Sequence, residues 1–406
     1  MSLLDDLSII TTASADKAGT LYSVIPDSGL ADLDITRATT ATRTVTGGLV
    51  VPVAINEPQI DHADGGSCPY LLLEPARTNI CLQSQTIDNA TWTKVTGGTG
   101  SAPVVTANNA LAPDNTTTAE KVVFDLNGGT TSSDYSYLNQ NYTQAATSYT
   151  ISCYLKGAVG GEKVTLDFDN GITNIVTLTT SWVRYTYSKA VTNTGSKILR
   201  IATQGDIATD DNPTIYMWGC QLEAKFHTGS AASFATSYIP TTTTTVTRNK
   251  TQFSQIGLAS LLNPTEGVLF LEAACFVAGN SNQHIMAMSN NNAGDHVNIG
   301  QWSGSWFASA SMGGVNLIFE SAIATVADTY FHKVAIKYKS AYTAVFFDGA
   351  LISHTNNLGT PSGTPMFKYS DGYAGIDLWN LEGKIRSIQY YPLTLSDAQV
   401  ITLTTP

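Results

Sequence analysis

The chain has 406 residues and a formal net charge of −11. Charged residues make up 13% of it and hydrophobic residues 43%, so Thr, Ser, Asn and Gly supply much of its polarity. Lys and Arg form no cluster, which argues against nucleic acid or an anionic membrane as a partner. The length allows two or three domains with sizeable cores, and the composition favours β-strands joined by turns.

The start of the chain, Met1 to Asp6, is acidic and lacks the basic and apolar regions of a signal peptide. No apolar run approaches the length of a transmembrane helix. We therefore expect assembly in a cytoplasm and no membrane insertion. The five cysteines have no closely spaced pairs, which argues against zinc ligands. Cys153 and Cys220 lie on apolar strand faces, so we expect buried free thiols.

Residues 1–80 contain many turn signals, and we expect an irregular arm that is ordered by packing against another surface. The apolar run around Leu72 lies between two prolines and predicts a short buried strand. The arginines of this region are Arg37, Arg43 and Arg77. They either pair with carboxylates such as Asp61 and Glu74 or, together with Leu72, contact virion or subunit partners, since Arg is enriched at interfaces.

Four motifs follow one another within residues 19–80. They are Thr36–Arg43, Gly48–Val50, Pro58–Asp61 and Cys68–Asn79, the last reading CPYLLLEPARTN. This order resembles the head of bacteriophage tail and fibre structural proteins. The resemblance implies a protein located in the virion, with other virion proteins as partners and a homo-oligomer, most often a trimer. It names no host receptor.

Residues 81–225 predict a β-sandwich, because apolar residues alternate along segments such as Tyr149–Leu155. A turn that includes Asn115 leads into Thr117–Val122, and Trp218–Glu223 reads WGCQLE. These segments resemble carbohydrate-binding-module-like jelly rolls. Asn115 stands where that pattern has Gly, a change that left-handed turn geometry tolerates. The resemblance implies the fold more strongly than a ligand.

Residues 226–262 form a Thr-rich connector, which we expect to be an extended linker or an edge strand. Residues 263–406 predict a second sandwich, with a hairpin at Asp348-Gly349 and a short final helix that is capped by Ser396 and Gln399. Its pattern resembles concanavalin A-like, laminin-G-type jelly rolls. Because it lies farthest along the chain from the virion-type motifs, we expect it to face the host.

Glycan binding needs exposed aromatic rings that stack on the C–H faces of sugars, with polar groups beside them for the hydroxyls. The candidates for such a site are Trp302, Trp306, Asp295, Trp379, Tyr135 and Tyr137. Trp302 and Trp306 either contact a ligand or fill the core. The polar loop that holds Asp206, Asp210 and Asp211 is either a solvated acidic loop or a weak candidate for structural Ca²⁺. We expect no other cofactor.

Catalytic constellations are scarce in this sequence. Asp167 and Asp169 share one strand face and could flank a glycosidic bond, but a solvated strand face is the commoner origin of such a pair. We find no phosphate-binding loop and no nucleophile elbow. We therefore expect an all-β, non-enzymatic virion protein with lectin-like sandwiches for adhesion to host-surface glycans. The alternatives are a virion-associated glycan depolymerase and a purely architectural subunit without sugar binding.

Overall fold

A computed structural model describes most of the chain. The described residues are 3–62, 66–208, 210–224, 234–276, 283–292, 294–302, 305–320, 323, 329–356, 368–370 and 383–406. Their regular structure is strand, apart from short 3₁₀ turns and the helix α1 (Asp397–Thr404). The all-β prediction is therefore confirmed.

Eight strands precede the first sandwich. They are β1 (Ile9–Lys17), β2 (Thr20–Ile25), β3 (Asp34–Thr36), β4 (Ala41–Thr44), β5 (Val50–Val53), β6 (Ile60–His62), β7 (Pro69–Leu73) and β8 (Arg77–Asn79). β4 and β5 pair with each other, whereas the other strands join sheets that are built mainly from later parts of the chain.

Two sheets form the first sandwich. Its strands are β9 (Thr93–Gly97), β10 (Ser101–Ala110), β11 (Ala119–Asp125), β12 (Tyr135–Gln144), β13 (Ser148–Gly157), β14 (Lys163–Asp167), β15 (Ile175–Thr177), β16 (Val183–Ala190), β17 (Gly195–Gln204) and β18 (Thr214–Ala224). Sheet I has the order β10-β11-β18-β13-β16, and sheet II has the order β15-β14-β17-β12-β9. Leu138, Ile151 and Ile201 belong to the core between them.

Two further sheets form the second sandwich. The remaining strands are β19 (Val246–Arg248), β20 (Gln252–Ile256), β21 (Gly267–Cys275), β22 (Gln283–Asn292), β23 (Asp295–Trp302), β24 (Ser305–Met312), β25 (Val315–Glu320), β26 (His332–Lys339), β27 (Tyr342–Phe347), β28 (Ala350–Thr355), β29 (Lys368–Ser370) and β30 (Gly383–Tyr391). Sheet III has the order β2-β1-β30-β21-β26-β27-β28, with β7 also on β30 and β6 on β7. Sheet IV has the order β25-β24-β23-β22-β29-β20-β3.

The N-terminal region is part of the second sandwich and not an irregular arm. In β1, Ile9 pairs with Tyr390 of β30, and in β7, Leu72 pairs with Lys384. Leu71 and Leu73 lie in the core between sheets III and IV. The expectation for residues 1–80 was wrong because the partners of these strands lie at the far end of the chain, where a local pattern does not identify them.

The first sandwich is inserted into the second through two adjacent strands. β8 leads into it and β19 follows it, and the two pair antiparallel, with Arg77 opposite Arg248 and Asn79 opposite Val246. The chain thus leaves and re-enters the second sandwich at one place. Chain order therefore does not place residues 263–406 farthest from the N-terminal motifs, and that expectation is corrected.

A buried polar network holds this junction together. Glu74 forms an ion pair with Arg248, and both side chains are almost fully buried. Glu74 also accepts hydrogen bonds from the backbone N–H and the hydroxyl of Ser237, both at 2.6 Å, and from Gln59 Nε2 at 3.0 Å. Ser237 lies in the Thr-rich connector, so this part of the connector is docked and is not a free linker.

The arginines and Leu72 of the N-terminal motifs contact other parts of the same chain. Arg37 is buried and donates to Gln59 Oε1 at 3.2 Å, and Arg77 is buried with its guanidinium 5.6 Å from the Phe234 ring centroid. Leu72 is also buried. These three residues are therefore corrected from subunit contacts to intramolecular ones.

Arg43 forms an ion pair with Asp16 at 3.2 Å, whereas Asp61 and Glu74 were the expected partners. The residue that pairs with Glu74 is Arg248 from the far side of the insertion. The contacts of Arg43 thus favour the intramolecular alternative, although its partner is Asp16 and not Asp61 or Glu74.

Several local predictions are confirmed. Asp348 and Gly349 both have positive φ, at 44° and 79°, as a tight hairpin requires. Asn115 has φ 63°, the left-handed geometry that was expected of it. Ser396 and Gln399 form the capping box of α1. Four of the five cysteines are buried, and all five are free thiols.

Candidate functional site

Strand β12 presents two tyrosines on the face of sheet II that points away from the core. Alternation along the strand places Leu138 in the core and leaves Tyr135 and Tyr137 half-buried on the opposite face. β12 lies between β17 and β9, and Tyr137 is opposite Ala202 on one side and Val95 on the other. The small neighbours leave room for rings that lie across the sheet.

The two rings form a stacked pair with a cation above one of them. The ring centroids of Tyr135 and Tyr137 are 5.2 Å apart with an interplanar angle of 25°. The guanidinium carbon of Arg200 lies 4.9 Å from the Tyr137 centroid, within the range of a cation–π contact. We call this surface, made of Tyr135, Tyr137 and Arg200, the tyrosine face.

Gly97 of β9 is required for this arrangement. It lies opposite Tyr135, and a Cβ at this position would collide with the Tyr135 ring. Any side chain here would therefore displace the ring from its stacked position. The glycine therefore leaves the space beside β9 that the Tyr135 ring occupies.

Burial shapes the electrostatics of the tyrosine face. Burial lowers the pKa of Arg200, although that group remains a cation in the physiological range. Burial also raises the pKa of Tyr137, so its hydroxyl stays protonated and can donate a hydrogen bond. Arg200 donates from Nη2 to the carbonyl of Asn170 at 3.2 Å, which fixes the guanidinium over the ring.

Two aspartates anchor the loops beside the tyrosine face. Asp134 accepts from the backbone N–H groups of Thr99 and Thr131 at 3.0 and 2.9 Å, and these hydrogen bonds hold the pKa of its carboxyl well below the usual range. Asp167 accepts from the backbone N–H groups of Thr173 and Asn174 at 2.6 and 3.1 Å. Both carboxylates are thus used to fix loops at the rim.

Asp169, the other member of the sequence pair, lies in a cationic setting. It forms ion pairs with Lys189 and Lys197, both at 3.1 Å. Burial tends to raise the pKa of Asp169, but hydrogen bonds from Gln144 and the two lysines outweigh it and lower that pKa to about 2. A carboxyl held ionised in this way is a poor proton donor for general acid catalysis.

The other aromatic candidates have different positions. Trp306 is 1% exposed and packs in the core, 6.1 Å from the Phe347 ring centroid, so it fills the core and presents no ring to a ligand. Asp295 is buried and accepts from Asn290 Nδ2 at 3.0 Å. The side chain of Trp302 and the whole of Trp379 lie outside the described residues.

The strand-like sequence contexts of Trp92, Trp182 and Trp218 predict a place in the core for each of these tryptophans. Trp92 and Trp218 are buried, as predicted. Trp182 is half-buried, and its indole N–H donates to the carbonyl of Leu111 at 3.0 Å. The prediction for Trp182 was thus only partly right.

The aspartates of the acidic loop accept hydrogen bonds from nearby backbone N–H groups. Asp210 caps the backbone N–H of Asn212 at 2.9 Å, and Asp211 accepts from the N–H of Gly128 at 2.7 Å. Over the described part of the chain, no group of three or more His, Cys, Asp or Glu side chains is arranged to hold a metal ion. Asp206, Asp210 and Asp211 are thus not brought together, which corrects the calcium candidate.

Within the described ranges, no helix has the length and apolar character needed to cross a membrane.

Sequence reasoning found Tyr135 and Tyr137 but missed Arg200 and Gly97. A signal for Arg200 was present, because it is a charged residue inside the apolar strand segment Ile198–Ile201. Its position over Tyr137 depends on the register between β17 and β12, which the sequence does not state.

No protein-family model and no curated protein matches the chain. Solved structures match parts of it. The CBM40 domain of the Ruminococcus gnavus IT-sialidase, bound to α2,3 sialyllactose, is 16% identical with a TM-score of 0.32, covering 36% of this chain and 86% of that chain. Domain 4 of AbnA, a GH43 extracellular arabinanase from Geobacillus stearothermophilus, in complex with arabinotriose, is 11% identical with a TM-score of 0.33. The match covers 44% of this chain and 86% of that chain. A heptameric SAP-like pentraxin from Limulus polyphemus is 14% identical with a TM-score of 0.30, and the match covers 36% of this chain and 72% of that chain. At these TM-scores the likenesses indicate no function for this chain.

Proposed function

We propose that this chain is a glycan-binding structural protein of a bacteriophage virion, and that the tyrosine face is its sugar-binding surface. The observation that carries the proposal is the half-buried, stacked ring pair of Tyr135 and Tyr137 on the outer face of sheet II, with Arg200 fixed over the Tyr137 ring. Aromatic rings offer flat apolar surface with a polar hydroxyl at the edge, which suits a sugar with C–H faces and hydroxyl groups. The amide of Asn139, the cross-strand neighbour of Arg200, supplies donors for those hydroxyls, while the buried Arg200 holds the Tyr137 ring in position.

Binding without hydrolysis is the form of activity that these contacts favour. A glycosidase needs one carboxylic acid that donates a proton and one free carboxylate. Asp167 is occupied by loop N–H groups, and Asp169 is ionised between two lysines. The depolymerase alternative therefore has no support at these two carboxylates.

The virion assignment is supported by the motif order in residues 19–80. If those residues attach to the particle, the inserted first sandwich is the module that can project from it, with the tyrosine face available to the host surface. Self-association into a closed homo-oligomer is the common solution for such proteins, and we favour a trimer. Immunogold labelling of purified particles tests the location in the virion. Light scattering of the isolated chain measures its oligomeric state.

The experiment for the tyrosine face uses Tyr137→Ala in the full-length chain. Stacking on an aromatic ring contributes about 1–3 kcal/mol by analogy with bases, so binding to glycan arrays and to host cells should weaken by about tenfold or more. Tyr137→Phe keeps the ring and should retain most of the binding. Tyr22→Ala removes a tyrosine that is 41% exposed on β2 and serves as the matched control. Equal binding by Tyr137→Ala and Tyr22→Ala would refute the proposed site.

A further inference from the structure

Three of the buried cysteines meet in the core of the first sandwich. Cys81 follows β8, Cys153 lies in β13 and Cys220 lies in β18, and all three are fully buried between sheets I and II. The thiols of Cys81 and Cys153 each donate a hydrogen bond to the sulfur of Cys220. We call these three residues the thiol cluster. The proposed sugar-binding surface does not use it.

Two members of the thiol cluster are strand neighbours at a bulge. β13 pairs antiparallel with β18, and the register shifts between Ser152 and Tyr154. Cys153 therefore lies opposite Gly219 and Cys220 of the bulged strand. Opposed residues on adjacent antiparallel strands have Cα atoms about 4.5–5.5 Å apart. This separation lies within the range of about 4.4–6.8 Å that a disulfide bridges.

The third member reaches the cluster from outside the sheet pairing. The side-chain oxygen of Asn79 accepts from the backbone N–H of Cys81 at 3.0 Å, and the side-chain amide of Asn79 donates to the Cys220 carbonyl at 3.2 Å. The Thr241 hydroxyl also donates to the Cys81 carbonyl. Cys81 is thus held as a hydrogen-bond donor to the Cys220 sulfur, whereas strand register places Cys153 directly opposite the bulge.

The hydrogen bonds make Cys220 the most nucleophilic thiol of the cluster. Burial tends to raise the pKa of Cys220, but hydrogen bonds from Cys153, from Cys81 and from the backbone N–H of Gln221 outweigh it and lower that pKa to about 5. Burial raises the pKa of Cys81 and that of Cys153. The thiolate is the nucleophilic form of cysteine, so a reaction with an oxidant starts at Cys220.

We propose that Cys153 and Cys220 form an oxidation site, which a small peroxide converts into a disulfide between β13 and β18. The Cys220 thiolate attacks one oxygen of hydrogen peroxide, the O–O bond breaks, and hydroxide leaves a sulfenic acid on Cys220. The Cys153 sulfur then attacks the sulfenic sulfur, the S–S bond forms, and water leaves with the Cys153 proton. Since the hydroxide takes up the proton that Cys220 had lost, two thiols and one peroxide give one disulfide and two waters. The two electrons lost by sulfur reduce the peroxide.

This disulfide would lock the first sandwich. It closes a loop that contains β14 to β17 and therefore restricts the unfolded chain, which stabilises the folded one. Cytosolic thiols are kept reduced, whereas oxidants act outside the cell. The site would thus stay open during assembly and close in the released particle. That timing rests on the proposed virion function, but the oxidation site itself does not.

The test treats the folded full-length Cys68→Ser chain with hydrogen peroxide. Cys68 is the exposed cysteine, so its removal prevents disulfides between chains. Remaining thiols are alkylated in denaturant without reductant, and the peptides are identified by mass spectrometry. We expect one peptide pair joined through Cys153 and Cys220, with Cys81 and Cys275 alkylated. Cys275 is buried in the second sandwich and reports what peroxide does to a buried thiol outside the cluster.

Matched variants locate the reaction. Cys220→Ser should abolish the link, and Cys275→Ser should leave it unchanged; if Cys220→Ser does not fold, Cys153→Ala decides the question. No link in the folded chain, a link through Cys81, or sulfinic acid on Cys220 without a link would each overturn the proposal. The oxidised chain should also melt several degrees above the reduced one and return to it with dithiothreitol. An unchanged melting temperature would refute the lock.

Discussion

The ion pair between Glu74 and Arg248 allows a quantitative test of the junction between the sandwiches. Both side chains are almost fully buried, at 2% and 1% exposure. Removing one partner of a buried pair typically costs about 3–5 kcal/mol, because an uncompensated charge remains. In Arg248→Met, Glu74 keeps three other donors, two from Ser237 and one from Gln59. We therefore expect a loss near the lower end, about 3 kcal/mol of unfolding free energy.

Urea unfolding followed by circular dichroism and tryptophan emission measures this loss. Lys189→Met is the matched control, because Lys189 is 41% exposed and its partner Asp169 retains Lys197. Exposed pairs contribute about 0–1 kcal/mol. Adding Glu74→Gln to Arg248→Met removes the stranded charge, so the double variant should lose less than the sum of the single variants. If Arg248→Met costs no more than Lys189→Met, the pair does not stabilise the junction and the reasoning fails.

Two further predictions concern buried groups. Trp306→Ala should lower the unfolding free energy by about 3–5 kcal/mol, because it leaves a cavity in the core; unchanged thermal melts would contradict the core placement. Burial and a hydrogen bond with Asp88 raise the pKa of Glu120 to about 8 from an ordinary value of 4.5. The folded chain therefore holds this proton more tightly than the unfolded chain, and stability should fall as the pH rises between these two values. Glu120→Gln should reduce the fall in stability that thermal melts measure from pH 5 to pH 8. If the melting temperature depends equally on pH in both proteins, the raised pKa of Glu120 is refuted as the cause of the fall.

The sequence was most informative where the signal was local. Alternation predicted the strands of the first sandwich, and Asp348-Gly349 predicted a hairpin of the second sandwich, because each signal depends on residues that are near one another in the chain. Trp306 was ambiguous because polar residues surround it in the sequence. In the structure every residue of β24 is buried, so polar neighbours did not mark exposure there.

The candidate site was only half predictable for the same reason. Tyr135 and Tyr137 were found because they are two aromatic residues close together in a polar stretch of the sequence. Arg200 and Gly97 join them only through the register of β17 and β9 against β12.

Pairing between distant strands also changes how the chain is placed on a particle. Leu72 of the phage-like motif pairs directly with Lys384, so residues 19–80 and the last sandwich form one body. The first sandwich leaves and returns through β8 and β19, which lie side by side. If the body that contains residues 19–80 is the end of the chain that attaches to the virion, the C-terminal sandwich must lie near the particle too. The part that can project toward the host is then the inserted sandwich, and this is the one that carries the tyrosine face.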